Sequence, residues 1–332
     1  VVCDASNVDG GVASINKDEL MDATSKLLRD LDGVMYTGCD MNTTLDDMEY
    51  LADKCGYVLA AIQNPHVNPN ACTAMGVVGA IEAALGDVKD RVLVVHGCGN
   101  VGQIVAKEMI QCGATVYTYD INSESADIEG CINISPGTSG AAKHPKWWNV
   151  ACDALVPCSK SGLITTEIAK ALETKVIVGA TNLPFADNQA HELIDQKGVE
   201  YIPEGVSSAG AVIIDSVEHF DPDIFKASDP ALMYAFVRDV VREKTVDLFA
   251  NSKHSSVETI RRLEVDDGEK PVGKRFSEWC VRKLGDHAPL LTKRTRGGAN
   301  ANNAGFALGN SGGQQRHFST SVRQFSSEAD MK

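Results

Sequence analysis

Apolar residues along this chain recur at two spacings, and the change from one to the other divides it. Helical spacing comes first. Asn16-Lys17-Asp18-Glu19 resembles a capping box, and the helix it opens carries Leu20, Leu27, Leu28 and Leu31 inward and stops at Gly33. Residues 34–37 read as a short strand and 38–42 as the loop after it; Thr44 with Asp47 opens a second helix with Met48, Leu51 and Ala52 on its inner face. A loop rich in Asn, Pro and His (64–70) leads to a small-residue-rich helix over 71–85. From residue 92 short apolar runs alternate with helical patterns. Strands are predicted at 92–95, 152–156, 176–178 and 200–202, with another ending before Asp120, and helices at 101–113, 166–172 and 187–196. That alternation predicts an α/β fold, a doubly wound parallel sheet of Rossmann type. Gly97, Pro157, Gly179 and Pro203 fall at carboxyl ends of these strands, where such sheets bind ligands in one crevice. Trp147-Trp148 is expected to cover an edge of the sheet. After Ser208 the pattern is purely helical (209–220, 230–250, 256–263, 272–284), a coda expected to pack back on the first lobe.

Gly97-Cys98-Gly99-Asn100-Val101-Gly102 joins the 92–95 strand to its helix, and Asp120 follows about 20 residues on, at the end of the next strand. This is the arrangement of a dinucleotide site. Gly97 permits a tight turn, Gly99 lets the backbone approach a pyrophosphate, and Gly102 lets helix and strand pack closely. The helix start, with Asn100 and Val101, offers unpaired N–H groups and partial positive charge to the phosphates. Asp120 is placed to accept from ribose hydroxyls and would repel a 2'-phosphate; no Arg follows in residues 121–123, so NAD is favoured over NADP.

Composition narrows the classes. The 332 residues suggest about two domains, and a net charge of −14 argues against nucleic acid or an anionic membrane surface as the main partner. No apolar run reaches the roughly 18 residues of a membrane span. Ten cysteines lie scattered without CxxC pairs, which argues against a disulfide framework or structural zinc and for a reducing compartment. Cys98, Cys112 and Cys152 read as small core residues, and no metal site is signalled. Val1-Val2-Cys3 has no Met and no signal peptide and reads as a strand remnant, so an N-terminal portion is expected to be missing. From 287 to 327 there is no acidic residue, and this tail is expected to be disordered. Residues 315–323 have the Arg- and Ser-rich character of a mitochondrial presequence at the wrong end of a chain; a flexible linker is the other reading. Compartment stays open between cytoplasm and mitochondrial matrix.

Several separate stretches then match one family. They are Tyr36 to Thr44 with Asp47-Met48, Pro69 to Val77, Gly97 to Gly102 with Asp120, Cys152-Asp153 with Pro157-Cys158, Gly179 to Asn182, and Pro203 with Ser208-Ala209-Gly210. In these the chain resembles the glutamate/leucine/phenylalanine/valine dehydrogenases, with leucine dehydrogenase nearest in pattern. The resemblance implies reversible, NAD-linked oxidative deamination of an L-amino acid to a 2-oxo acid and ammonia. It implies that Asp40 is the catalytic aspartate moving protons to and from the amino group. It also places Thr73 at the nicotinamide carboxamide, Asn182 on the nicotinamide side of the crevice, and Pro157-Cys158-Ser159 in backbone contact with the cofactor. Cys158 has no nucleophilic role in this reading. Ser208, Val212 and Asp215 fall in the substrate pocket, and such enzymes are usually homo-oligomers through their first lobe. The organisation expected is a truncated catalytic lobe (1–78), an NAD-binding domain (79–210), C-terminal helices (211–286) and the tail (287–332).

The departures carry information. The family's lysine-bearing glycine-rich segment would precede Val1, and Lys17 and Lys26 read as surface charges instead, so the chain as given is expected to bind NAD but to be poor or inactive as a catalyst. A non-catalytic NAD-binding protein of the same family is therefore a second reading, and a methylenetetrahydrofolate-dehydrogenase-like enzyme a third that leaves the Asp40 and Thr73 stretches unexplained. Leu183 replaces a polar residue after Asn182, and Ser208 stands where the family usually has Asn. Asp215 stands where an apolar pocket residue is expected, which disfavours a branched aliphatic substrate and suits a polar or cationic one. His66 and His96 attract attention as acid–base groups, but His96, at a strand end, reads as a structural histidine.

Overall fold

The computed structural model describes residues 16–40, 43–137 and 146–251, together with Phe276, Trp279, Cys280 and Arg282. The strand remnant at 1–3, the 256–263 helix and the 287–332 tail lie outside the described residues, as do most of 272–284 and of the loop beyond Gly137.

Six parallel strands form the centre: β1 (Val92–His96), β2 (Thr115–Tyr119), β3 (Ile132–Asn133), β4 (Cys152–Pro157), β5 (Thr174–Ile177) and β6 (Glu200–Tyr201), in the order β3-β2-β1-β4-β5-β6. The chain winds outward from β1 in both directions, so the doubly wound sheet expected from the alternation is present. Successive side chains on a strand point to opposite faces. Leu93 and Val95 therefore join one core with α3 (Pro69–Leu85), α4 (Gly102–Gln111), α8 (Gly210–Phe220) and α10 (Pro230–Asn251). Val94 joins the other, with Leu155, Ile177 and the helices α5 (Thr166–Ala171) and α6 (Asn188–Gln196). Trp147 is buried in this second core, against His96 and beside Tyr119. It covers a face of the sheet, not an edge, because His96 and Tyr119 on adjacent strands present rings there for it to pack on.

The first lobe holds α1 (Lys17–Asp30) and α2 (Leu45–Lys54). Both caps expected from sequence form: the Asn16 side chain accepts from the Glu19 amide, and Thr44 and Asp47 make a reciprocal capping box. The inner face of α1 differs from the expectation. Met21, Thr24, Ser25 and Leu28 are buried, while Leu27 is 46% exposed. Thr24 and Ser25 can be buried because their hydroxyls donate to the Leu20 and Asp22 carbonyls (2.8 and 2.9 Å). The expected 34–37 strand is one parallel bridge, Thr37 to Val58, with Val34 84% exposed. Residues 57–59 give this segment its partner there: Thr37 donates to the Tyr57 carbonyl and accepts from the Leu59 amide.

α3 starts two residues before the expected 71, with Pro69 in its first turn and Asn68 accepting from the Asn70 and Ala71 amides; the expected boundary at 78 falls inside it. The coda meets α3 through Arg238 on α10, whose guanidinium grips the Glu82 carboxylate with both arms. It meets the first lobe at Asn64, which donates to the Phe225 and Ser228 carbonyls, and at the Asn68 amide, which donates to Tyr234. Phe276 and Trp279 are buried against Phe236. Of the three cysteines read as core, Cys98 is buried, while Cys112 and Cys152 are half-buried. Four short elements among the described residues escaped the sequence reading: β3, a 3-10 turn at Trp147–Asn149, α7 (Glu204–Ser207) and α9 (Pro222–Ala227).

Candidate functional site

The glycine turn is built for close approach. Gly97 takes a left-handed φ of +93°, and its amide donates to the Tyr119 carbonyl at 2.8 Å, tying β1 to the end of β2. A Cβ on Gly97 would lie 2.6 Å from the Cys158 carbonyl oxygen, and one on Gly102 would lie 1.8 Å from the Gly97 carbonyl oxygen. Gly102 thus closes the turn on itself more than it brings helix to strand. Both residues must be glycine for the chain's own sake. Gly99 differs: a Cβ there would meet nothing within 4 Å. Asp120 follows β2, and its Oδ2 accepts from the Cys98 amide at 2.7 Å while Oδ1 accepts from Asn122 at 2.9 Å. The acid therefore braces the turn it accompanies.

The neighbouring strand ends are stitched to this turn. The Cys158 amide donates to the His96 carbonyl (2.7 Å), and Ala180 and Thr181 donate to the Pro157 carbonyl (2.8 and 3.0 Å). Ser159 donates its amide to the Thr181 hydroxyl, and the Ser207 hydroxyl donates to the Gly179 carbonyl at 2.6 Å. The loops after β1, β4 and β5 and the start of the coda are thus joined along one edge of the sheet. His96 is buried, paired through Nδ1 with the Ser159 hydroxyl at 2.8 Å, and its pKa falls to about 4 through burial. It is the structural histidine expected. Cys158 is pushed up to about 12 by burial, unsuited to nucleophilic chemistry. Asp153 lies at the opposite end of β4, where it accepts from the Val92 amide and pairs with Lys175.

Helix α8 links this edge to the first lobe. At its start, a Cβ on Gly210 would lie 2.1 Å from the Cys72 carbonyl oxygen and 2.6 Å from the Thr73 amide, so α8 abuts α3 at Thr73. Thr73 donates its hydroxyl to the Pro69 carbonyl (3.2 Å). At the other end of α8, His219 packs edge-on to Tyr36 at 4.7 Å, and the buried Glu218 carboxylate accepts from the Ala61 and Gln63 amides at 3.0 and 2.9 Å. Glu218 is a clamp the sequence reading missed; an acid inside the apolar run 210–220 was its one signal. Asp215 sits between these two contacts. Burial, then the neighbouring Glu218, raises its pKa to about 7, and its charge in turn pushes up the thiols of Cys39 and Cys72, which are raised mainly by burial. Cys39 precedes Asp40, so the Asp40 loop and Thr73 approach the same stretch of α8. The Asp40 amide and carbonyl both bond the Thr43 hydroxyl at 2.8 Å, and Asp40 is exposed.

Asn182 is exposed beyond the Thr181 anchor, followed by Leu183, which is 72% exposed at φ +50° with its amide donated to Glu204. Ser208 donates to the Glu204 carbonyl (2.7 Å), and Val212 is 66% exposed. Among the described residues no group of three or more His, Cys, Asp or Glu is arranged to hold a metal ion. No described helix is long and apolar enough to cross a membrane.

Residues 119–225 match the model of the Glutamate/Leucine/Phenylalanine/Valine dehydrogenase family. A phenylalanine dehydrogenase of Caldalkalibacillus thermarum is 30% identical over 239 residues, 67% of this chain and 65% of that protein. A leucine dehydrogenase of Thermoactinomyces intermedius is 29% identical over 223 residues, 62% of this chain and 60% of that protein. The chain thus spans less than two thirds of the length of these relatives. Among solved structures, an L-tryptophan dehydrogenase from Nostoc punctiforme superposes with a TM-score of 0.59 at 21% identity, covering 79% of this chain and 73% of that one. A glutamate dehydrogenase 2 of Plasmodium falciparum gives 0.60 at 17%, covering 82% and 68%; at these identities the likeness is one of fold. By sequence the chain is similar to the glutamate/leucine/phenylalanine/valine dehydrogenase family, and it shares its parallel α/β fold with solved amino-acid dehydrogenases.

Proposed function

We propose that this protein carries out reversible, NAD-dependent oxidative deamination of an L-amino acid to its 2-oxo acid and ammonia. The observation that carries the reading is Gly99. Gly97 and Gly102 are explained by the protein's own backbone, whereas among the described residues nothing lies within 4 Å of where a Gly99 Cβ would stand. A dinucleotide pyrophosphate approaching the turn explains that glycine. Asp120, beside the turn and without a following arginine, suits unphosphorylated ribose hydroxyls and hence NAD. Bound there, NAD supplies a hydride acceptor. The chain's own residues supply part of the rest. Gly97 to Gly102 hold phosphates, Thr73 and Asn182 orient the nicotinamide, and Asp40 accepts a proton from the substrate amino group. The loops after β4 and β5 wall the crevice from water.

Self-association through the first lobe belongs to the same reading, supported by the exposed apolar side chains of Val34 and Met35.

The test is NADH formation at alkaline pH with a panel of L-amino acids, for the wild-type protein and Asp40→Asn. Turnover that the Asn variant loses by about 100-fold or more, with NAD affinity kept, supports the proposal. No turnover with any amino acid despite NAD binding overturns it in favour of a non-catalytic NAD-binding protein.

A further inference from the structure

Asp215 is anomalous in its surroundings. It lies half-buried on α8 between the helix's contact with Thr73 and its contact with the first lobe, and it makes no hydrogen bond or ion pair with any described residue. The titratable groups that act on it or feel its charge are Glu218 on the same helix, Cys39 from the Asp40 loop and Cys72 from α3. None is a cation. The next ring along α8, His219, is turned onto Tyr36 and Phe220. A carboxylate withdrawn from water and left without a counter-charge is costly to keep. Two other described acids withdrawn from water show the contrast: the buried Glu218 is met by backbone amides and the half-buried Glu82 by Arg238.

The place of this acid says what is missing. Its charge is felt at Cys39, in the loop ending in Asp40, and at Cys72, at the start of α3, against which Gly210 of the same helix abuts. Val212, three residues earlier and so on the same helix face, is 66% exposed, and Ser208 precedes it by four. A substrate held between Asp40 and the nicotinamide would lay its side chain along this face, toward Asp215. We propose that Asp215 determines side-chain specificity and that the site takes L-amino acids whose side chain ends in a cation, an ammonium or guanidinium, in preference to aliphatic or aromatic ones. The inference rests on the deamination reading above.

Steady-state kinetics with NAD and L-lysine, L-ornithine and L-norleucine on the full chain test it, norleucine being close to lysine in length but uncharged. A charge-assisted contact of this kind predicts kcat/KM about 10- to 100-fold higher for lysine or ornithine than for norleucine. Asp215→Asn should remove that advantage mainly through KM, and Asp215→Leu should invert it, both binding NADH like the wild type. Norleucine equal to or better than the cationic amino acids, or an unchanged ratio in Asp215→Asn, overturns the specificity while leaving the dehydrogenase intact. Should no amino acid turn over, calorimetric titration of L-lysine and L-norleucine into the NADH complex decides, and equal or weaker binding of lysine overturns the inference. Failure to bind NADH at all removes the deamination reading and this inference with it.

Discussion

Asparagine at position 215 keeps the shape of the protonated acid and removes its charge, so it isolates what ionisation of Asp215 costs the fold. Its carboxyl rises from an ordinary 3.8 to about 7 in the folded protein, through burial first and Glu218 second. The folded state therefore holds a proton that the unfolded chain has already released between these values. Stability must fall as pH rises through that window, and the full penalty applies above about pH 7. This sign is opposite to that of a salt-bridged aspartate. A rise from 3.8 to about 7 corresponds to a ceiling of about 4 kcal/mol. The side chain is only half-buried and solvent screens part of its charge, so about 1–2 kcal/mol is expected. Asp215→Asn should thus stabilise the ligand-free protein at about pH 8 and do so by less than half as much at about pH 4. Removing a negative neighbour also relieves Glu218, which adds in the same direction. Urea unfolding followed by circular dichroism at both pH values reads the difference as a shift in midpoint. An equal effect at both, or a destabilised Asn variant at the higher pH, would refute the reasoning that Asp215 is an uncompensated acid.

Three further predictions follow from the geometry. Gly99→Ala should fold with an unchanged melting temperature yet bind NAD at least about 10-fold more weakly, whereas Gly102→Ala, whose Cβ would strike the Gly97 carbonyl oxygen, should lower the melting temperature as well; calorimetry on the pair separates ligand clearance from turn closure, and an unweakened Gly99→Ala would contradict the cradle. Asp120→Ala should weaken NAD more than NADP, narrowing the ratio of their dissociation constants, with some loss of stability because the Cys98 amide loses its acceptor. Glu218→Gln cannot accept from both Ala61 and Gln63, and leaving one of these amides without its acceptor should cost about 1–3 kcal/mol and speed hydrogen exchange at residues 61–63; exchange unchanged there would mean that the clamp does not hold the lobe.

What could be read from the sequence follows from how local each cause is. The 92–120 unit was legible because strand period, glycine turn, helix period and acid all lie within one βαβ unit, each with its own signature. The caps at Asn16 and Thr44 were legible for the same reason: donor and acceptor are three residues apart. The inner face of α1 was not, since Thr24 and Ser25 become buriable only by bonding back to the helix carbonyls, which hydropathy does not register. The 34–37 segment has a strand's composition, but strand length depends on a partner elsewhere in the chain, and among the described residues only 57–59 provide one. Glu218 reads as a polar interruption of an apolar helix until residues 61–63, far away in sequence, supply the amides it accepts from. Asp215 stands out in the sequence as a departure from the family's pattern; that it has no counter-charge among the described residues is visible only when the lobe, α3 and α8 are brought together.

A crystal structure of the protein with NADH tests most directly whether the strand-end edge and the first lobe form one reaction site. The account predicts the pyrophosphate over Gly97 to Gly102, the adenosine ribose on Asp120, and the nicotinamide between Thr73 and Asn182 with the Asp40 carboxylate facing it across the crevice. A dinucleotide bound elsewhere, or one whose nicotinamide is walled off from the Asp40 loop, would contradict it.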